Sequence, residues 1–117
     1  MNVSPDKIFS ILSNQTRLRC LMMLLAYEEL CVCDFTDVIG AAQPNVSRYL
    51  AQLRDIGFLL DRHDSRWTYY RMNPELPVWV KEILNTTYDS VARREPYQSD
   101  LLMKHTFAGN EDKTQCA

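Results

Sequence analysis

Two short helical patterns almost in contact, followed by an abrupt change of period, limit what this chain can fold into more than any other feature. From Leu30 to Ile39 the apolar residues Val32, Phe35, Val38 and Ile39 fall at i, i+3, i+6 and i+7, and Gly40 ends the run. Ala41-Ala42 leads directly to Gln43, and from there to Ile56 the residues Val46, Leu50 and Leu53 recur at i, i+4 and i+7, with Gly57 as the stop. Helices joined by so short a turn predict a helix-turn-helix. Beyond Gly57 the spacing turns extended. Phe58 to Arg62 and Trp67 to Met72 are rich in apolar and aromatic residues, and the polar stretch His63-Asp64-Ser65-Arg66 between them reads as a hairpin turn.

The flanking segments supply helices on both sides. Ser4-Pro5 offers a cap and a first helical residue before Ile8, Phe9, Ile11 and Leu12. Ser13-Asn14 caps a second helix, Thr16 to Ala26, whose buried stripe is Leu18, Leu21, Met22 and Leu25. Asn73-Pro74 closes the hairpin. Pro77 then starts a long amphipathic helix marked by Val80, Ile83, Leu84, Thr87 and Val91, running to about Arg94 before Pro96 stops it. The predicted fold class is mainly α with a small β-hairpin: four helices, a hairpin and a fifth helix, a winged helix-turn-helix occupying residues 1–97. Residues 98–117 are polar and weakly periodic apart from Leu101, Leu102, Met103 and Phe107, and are expected to form a partly ordered C-terminal tail.

At 117 residues the chain is one domain, so a large partner surface must come from self-association or nucleic acid. Its longest apolar run, Cys20 to Tyr27, is far short of the ~20 residues that span a bilayer, and the opening Met-Asn-Val-Ser-Pro-Asp-Lys has no signal-peptide core. A cytoplasmic protein without membrane attachment is expected, with its four cysteines kept as thiols. The net charge of −2 argues against a uniformly basic coat, but residues 41–72 carry five Arg against three Asp and form the basic part. There is no Cys-x-x-Cys, no Gly-rich phosphate loop and no His placed as a base for a cysteine, so neither an enzyme nor an organic cofactor is expected.

In a helix-turn-helix the second helix enters the major groove. With Val46, Leu50 and Leu53 committed to the core, a 3.6-residue period turns Asn45, Arg48 and Gln52 to the opposite side, with Gln43 and Ser47 at the flanks. Arg48 can donate two hydrogen bonds to guanine, Gln43 or Asn45 can pair with adenine, and Ser47 can bond a base or a phosphate. In the hairpin, Arg62, His63 and Arg66 suit phosphate or minor-groove contacts, which add affinity rather than discrimination. Trp67 and Tyr69 are expected to pack. Cys31 and Cys33 are the other informative residues. Two positions apart on a regular helix they point about 200° away from each other, so one ion can hold both only if the helix is distorted or they lie at its first turn.

Several runs together carry a family resemblance. Glu29-Leu30-Cys31-Val32-Cys33-Asp34-Phe35, Gln43-Pro44-Asn45-Val46-Ser47-Arg48-Tyr49-Leu50, Leu53-Arg54-Asp55-Ile56-Gly57-Phe58-Leu59 and Arg66-Trp67-Thr68-Tyr69-Tyr70-Arg71 resemble, in order and spacing, the ArsR/SmtB metalloregulatory repressors. Thr16-Arg17-Leu18-Arg19 is similar to their second-helix signature, and the resemblance spans roughly residues 5–92. It implies a homodimeric repressor of double-stranded operator DNA, with the first and last helices at the subunit interface. It also implies that Cys31-Val32-Cys33 is a sensing site for trivalent arsenic or antimony, or for cadmium or lead. Soft sulfur suits soft ions, and a helix N-terminus favours thiolate, while Glu28, Glu29 and Asp34 oppose it.

Within the resemblance, the cadmium/lead branch draws further thiols from an N-terminal extension, and no cysteine precedes Cys20 here. Zinc-sensing relatives use His and carboxylates on the last helix, whereas Tyr88-Asp89-Ser90-Val91-Ala92-Arg93 has no His. Arsenic(III) or antimony(III) is left as the inducer. The third cysteine expected three residues after the pair is Thr36 in this chain, so the third ligand is open: Cys116, ranked above Cys20, or a small exogenous thiol or hydroxide. A thiol redox-sensing repressor of the same fold, forming a disulfide or persulfide, or a cadmium/lead-sensing repressor, is the alternative.

Overall fold

The computed structural model describes residues 4–40 and 43–108. Helix α1 (Pro5–Leu12) starts at Pro5 behind the extended N-cap Ser4 and buries Ile8 and Ile11. Helix α2 (Gln15–Ala26) is capped by Asn14, whose side chain accepts from the Arg17 backbone N–H, and buries Cys20 through Leu24. Strand β1 (Leu30–Cys31) runs directly into helix α3 (Val32–Ile39), which ends at Gly40 with φ +74°. Helix α4 (Gln43–Asp55) follows. It ends at Gly57, whose φ of +88° lets the Phe58 N–H reach back to the Leu53 carbonyl at 2.9 Å.

Strands β2 (Leu59–Asp64) and β3 (Trp67–Met72) form the hairpin, with Ser65 in the turn at φ 58°. Asn73 closes it by donating its backbone N–H to Phe58 and its side-chain amide to Gly57. Helix α5 (Val78–Val91) buries Val80 and Leu84, and helix α6 (Tyr97–Ala108) packs against α2 and α3. One core, built on Leu21, Met22, Phe35, Leu50, Leu53, Phe58 and Leu84, joins α2, α3, α4, the base of the hairpin and α5. Among the described residues no helix is long and apolar enough to cross a membrane.

The observed order departs from the expected one in three places. Leu30 and Cys31 were expected inside a helix, but they pair antiparallel with Tyr70 and Tyr69, giving a three-stranded sheet of order β1-β3-β2. A two-residue strand has no period for a sequence to display. The fifth helix stops at Val91, before Arg94. The tail expected over residues 98–117 begins instead as α6, because Asp100 is buried and accepts from Arg19 Nε and Nη2 at 2.8 and 2.6 Å, while Tyr27 Oη donates to the Leu101 carbonyl at 2.9 Å. Residues 109–117, with Cys116, and the connector Ala41-Ala42 lie outside the described residues.

Candidate nucleic-acid interface and thiol site

Helix α4 is anchored by Val46, Leu50 and Leu53, each 1% exposed or less, which fixes its rotation. Asn45, Arg48 and Gln52 are exposed on the other side and Ser47 is half-buried. Gln43 opens the helix, and its side chain lies outside the described residues. Arg48 Nη2 donates to Asn45 Oδ1 at 2.9 Å, so the two candidate base readers orient each other. The Tyr49 ring has guanidinium groups 5.4 Å (Arg17) and 5.8 Å (Arg48) from its centroid. Arg17 in turn donates to the Ile11 and Ser10 carbonyls at the end of α1. Arg17 and Tyr49 thus tie α1 to the reading helix, a role the sequence reading did not assign; the only signal was an aromatic next to Arg48.

The three wing candidates stand differently. Arg62 is committed within the protein: Nη2 and Nε donate to the Glu29 carboxylate at 2.6 and 3.1 Å, its guanidinium lies 4.5 Å over Tyr69, and Asp64 is 3.7 Å away. This contact holds the Glu29 carboxyl below its usual range and pushes the Arg62 guanidinium up. His63 Nε2 lies 3.2 Å from Asp61 Oδ2, and its Nδ1 is 3.2 Å from Thr68 Oγ1. Arg66 stacks 5.2 Å over Trp67, is exposed at the turn and, among the described residues, makes no ion pair. That leaves Arg66 the best placed of the three for a phosphate. Trp67 and Tyr69 are half-buried.

Cys31 and Cys33 are brought together. Cys31 is the N-cap of α3 with extended backbone (φ −77°, ψ 154°), so its side chain folds over the first turn instead of following the helical rotation, and the two Sγ atoms lie 3.2 Å apart. Of the two routes open at the sequence level, the first-turn placement is the one adopted. A capping box holds it: the Cys31 N–H donates to Asp34 Oδ2 at 2.9 Å and the Cys31 side chain faces the Asp34 N–H. Both cysteines are buried, at 1% and 5% exposure. Cys31 lines a cleft whose walls are α4, through Ser47 and Ala51, and the wing, through His63, Arg66 and Thr68.

Thr36, at the place of the expected third thiol, donates its hydroxyl to the Cys33 carbonyl. Among the described residues no group of three His, Cys, Asp or Glu side chains is arranged to hold a metal ion. Cys20 is fully buried, and burial pushes its thiol up to about 12, so it stays protonated near neutral pH and serves as core packing. Cys20→Ala is therefore expected to leave the number of thiols reactive in the folded protein unchanged and to lower the number reactive after denaturation by one, checked by counting reactive thiols in both states.

Residues 14–59 match the family profile described as bacterial regulatory protein, arsR family. The chain is 47% identical over 85 residues to the arsenic resistance transcriptional regulator ArsR2 of Pseudomonas putida, covering 73% of this chain and 74% of that one. It is 40% identical over 84 residues to the arsenical resistance operon repressor of Escherichia coli K12, covering 72% of each. Among solved structures it is similar to the AntR antimony-specific transcriptional repressor, with a TM-score of 0.63, 28% identity, and 74% and 75% of the two chains covered. A helix-turn-helix with a wing, a thiol pair beneath it and relatives of this likeness over most of their length leave one assignment: the chain belongs to the ArsR family of bacterial transcriptional regulators, with the winged-helix fold.

Proposed function

We propose that this regulator is a homodimeric repressor whose operator complex is released when trivalent arsenic or antimony is captured by Cys31 and Cys33. One observation carries the reading: two buried cysteine sulfurs lie 3.2 Å apart, and Cys31 of the pair lines a cleft shared by the reading helix and the wing. Sulfurs about 2.3 Å from a bound ion and 3.2 Å from each other subtend about 90° at it. A pyramidal thiophilic ion accepts that angle more readily than a tetrahedral one does. Relatives named for arsenic resistance and for antimony specificity support the same choice. Cys116, from this subunit or its partner, or a small exogenous thiol, completes the ligand set.

Release follows from where the sulfurs sit. Cys31 is at once the last residue of β1 and the cap of α3, and α3 packs on α4. An ion that fixes both sulfurs redefines this junction, so the liganded protein disfavours the DNA-bound arrangement. Linkage requires DNA to weaken inducer binding by the same factor, with couplings of about 1–3 kcal/mol being typical. Dimerisation is supported by Phe9 on α1 and by Val78 and Trp79 on α5, large apolar side chains left exposed in the single chain. A two-fold dimer with half-sites about one helical turn apart reads an imperfect palindrome.

The test is operator binding measured against arsenite, antimonite, cadmium, zinc and peroxide, with the mass of the free protein from sedimentation. Arsenite or antimonite should release DNA at concentrations where zinc does not. Release by peroxide alone, with no response to arsenite, would replace this reading with the thiol redox one, which the short sulfur–sulfur distance also favours. On the DNA side, Arg48→Ala should cost about 1–3 kcal/mol and relax base preference at one position. Arg66→Ala should instead weaken all sequences alike and reduce the salt dependence of binding by about one phosphate contact.

A further inference from the structure

The wing is fastened to the sensing strand by a closed circuit of four residues. Tyr69 is the register partner of Cys31 on one side and of Arg62 on the other. Arg62 lies over the Tyr69 ring and grips Glu29 with two hydrogen bonds, and Glu29 sits two residues before Cys31 in the chain. We infer that the Glu29–Arg62 pair over Tyr69 is the tie through which occupancy of the Cys31–Cys33 site repositions the wing, with Glu29 and Arg62 as positioning residues. This rests on the thiol-sensing reading above and states how the signal leaves that site.

Three features argue for the tie. Strand β1 is only two residues long and pairs with β3 alone, so few backbone bonds hold it in line and a bidentate side-chain grip is a large share of its alignment. The pair spans the full width of the sheet, from the segment before β1 to β2, bypassing the central strand. Its stability contribution is small, because Arg62 is half exposed and such pairs are weak in water. A contact that adds little stability yet joins the edge strand to the DNA-contacting hairpin has its main consequence in coupling. Asp64, 3.7 Å from Arg62, offers the alternative partner once Glu29 is withdrawn.

The experiment compares the full-length wild type with Glu29→Gln and Arg62→Lys. The readout is the ratio of operator Kd with saturating arsenite to that without, which cancels any change in basal DNA affinity. Arsenite loading is followed separately by thiolate absorbance. Both variants should take up arsenite with unchanged stoichiometry while the ratio falls about fivefold. Ratios within about twofold of wild type in both variants overturn the inference. Hydrogen exchange of residues 59–72 on arsenite addition reads the tie without DNA: a change in the wild type that is lost in both variants supports it, and equal changes in all three refute it. A wild type that binds arsenite yet keeps its operator sinks the inducer reading, while the exchange result still decides the tie.

Discussion

Cys31→Ser and Cys33→Ser should each abolish release of the operator by arsenite while leaving basal operator affinity within about threefold of wild type. Serine is nearly the same size but supplies hard oxygen in place of a soft thiolate, so a thiophilic ion loses one of two protein ligands. The two substitutions differ in their effect on folding. Cys31 is an N-cap inside a capping box, and serine is among the preferred residues there, so Cys31→Ser should melt no lower than wild type. Cys33 is buried just inside the helix, where a hydroxyl is less suited than a thiol, and a small loss of stability is expected. Operator anisotropy with and without arsenite, beside a thermal melt, separates the effects. The assignment is falsified if both variants still release DNA at the wild-type arsenite concentration.

Asp100→Ala should lower stability by about 2–3 kcal/mol and the melting temperature by about 10 °C. Its carboxylate is 3% exposed and takes both hydrogen bonds of the Arg19 fork, so truncation leaves a guanidinium in a largely dry site with no counter-charge. The Arg19 guanidinium, pushed up chiefly by its hydrogen bonds to Asp100, cannot escape the cost by losing its proton. Helix α6 should then come away from α2 and α3, seen as rapid proteolysis after residue 97. A double replacement of Arg19 by Met and Asp100 by Leu should recover much of the loss, since apolar pairs often substitute for buried ion pairs without penalty. A melt of Asp100→Ala within 2 °C of wild type would place α6 outside the cooperative unit.

The thiol-pair and Asp100 substitutions probe features of unequal visibility in the sequence. The reading helix and hairpin were legible because their apolar residues repeat at a constant interval and Gly57 marks the change from one period to the other. The thiol pair was legible in composition but not in geometry: a regular helix sets the two side chains apart, and only the extended backbone of Cys31 as cap brings them within 3.2 Å. Helix α6 was missed because it is held by contacts remote in sequence, the Arg19–Asp100 ion pair 81 residues apart and the Tyr27 hydrogen bond to Leu101, rather than by a strong apolar stripe. The commitment of Arg62 to Glu29, 33 residues away, was invisible for the same reason, and of the two candidate wing arginines it leaves Arg66 as the one without an ion pair among the described residues.

Local periodicity and punctuation, read along the chain, were enough to set the helices, the hairpin and the outward face of the reading helix, since each depends on neighbours within a few residues. Distance between side chains remote in sequence was decided by packing alone. The strand that lifts Cys31 out of helical rotation, the burial of Asp100 against Arg19 and the grip of Arg62 on Glu29 exist only once β1 and α6 have docked on elements formed elsewhere in the chain.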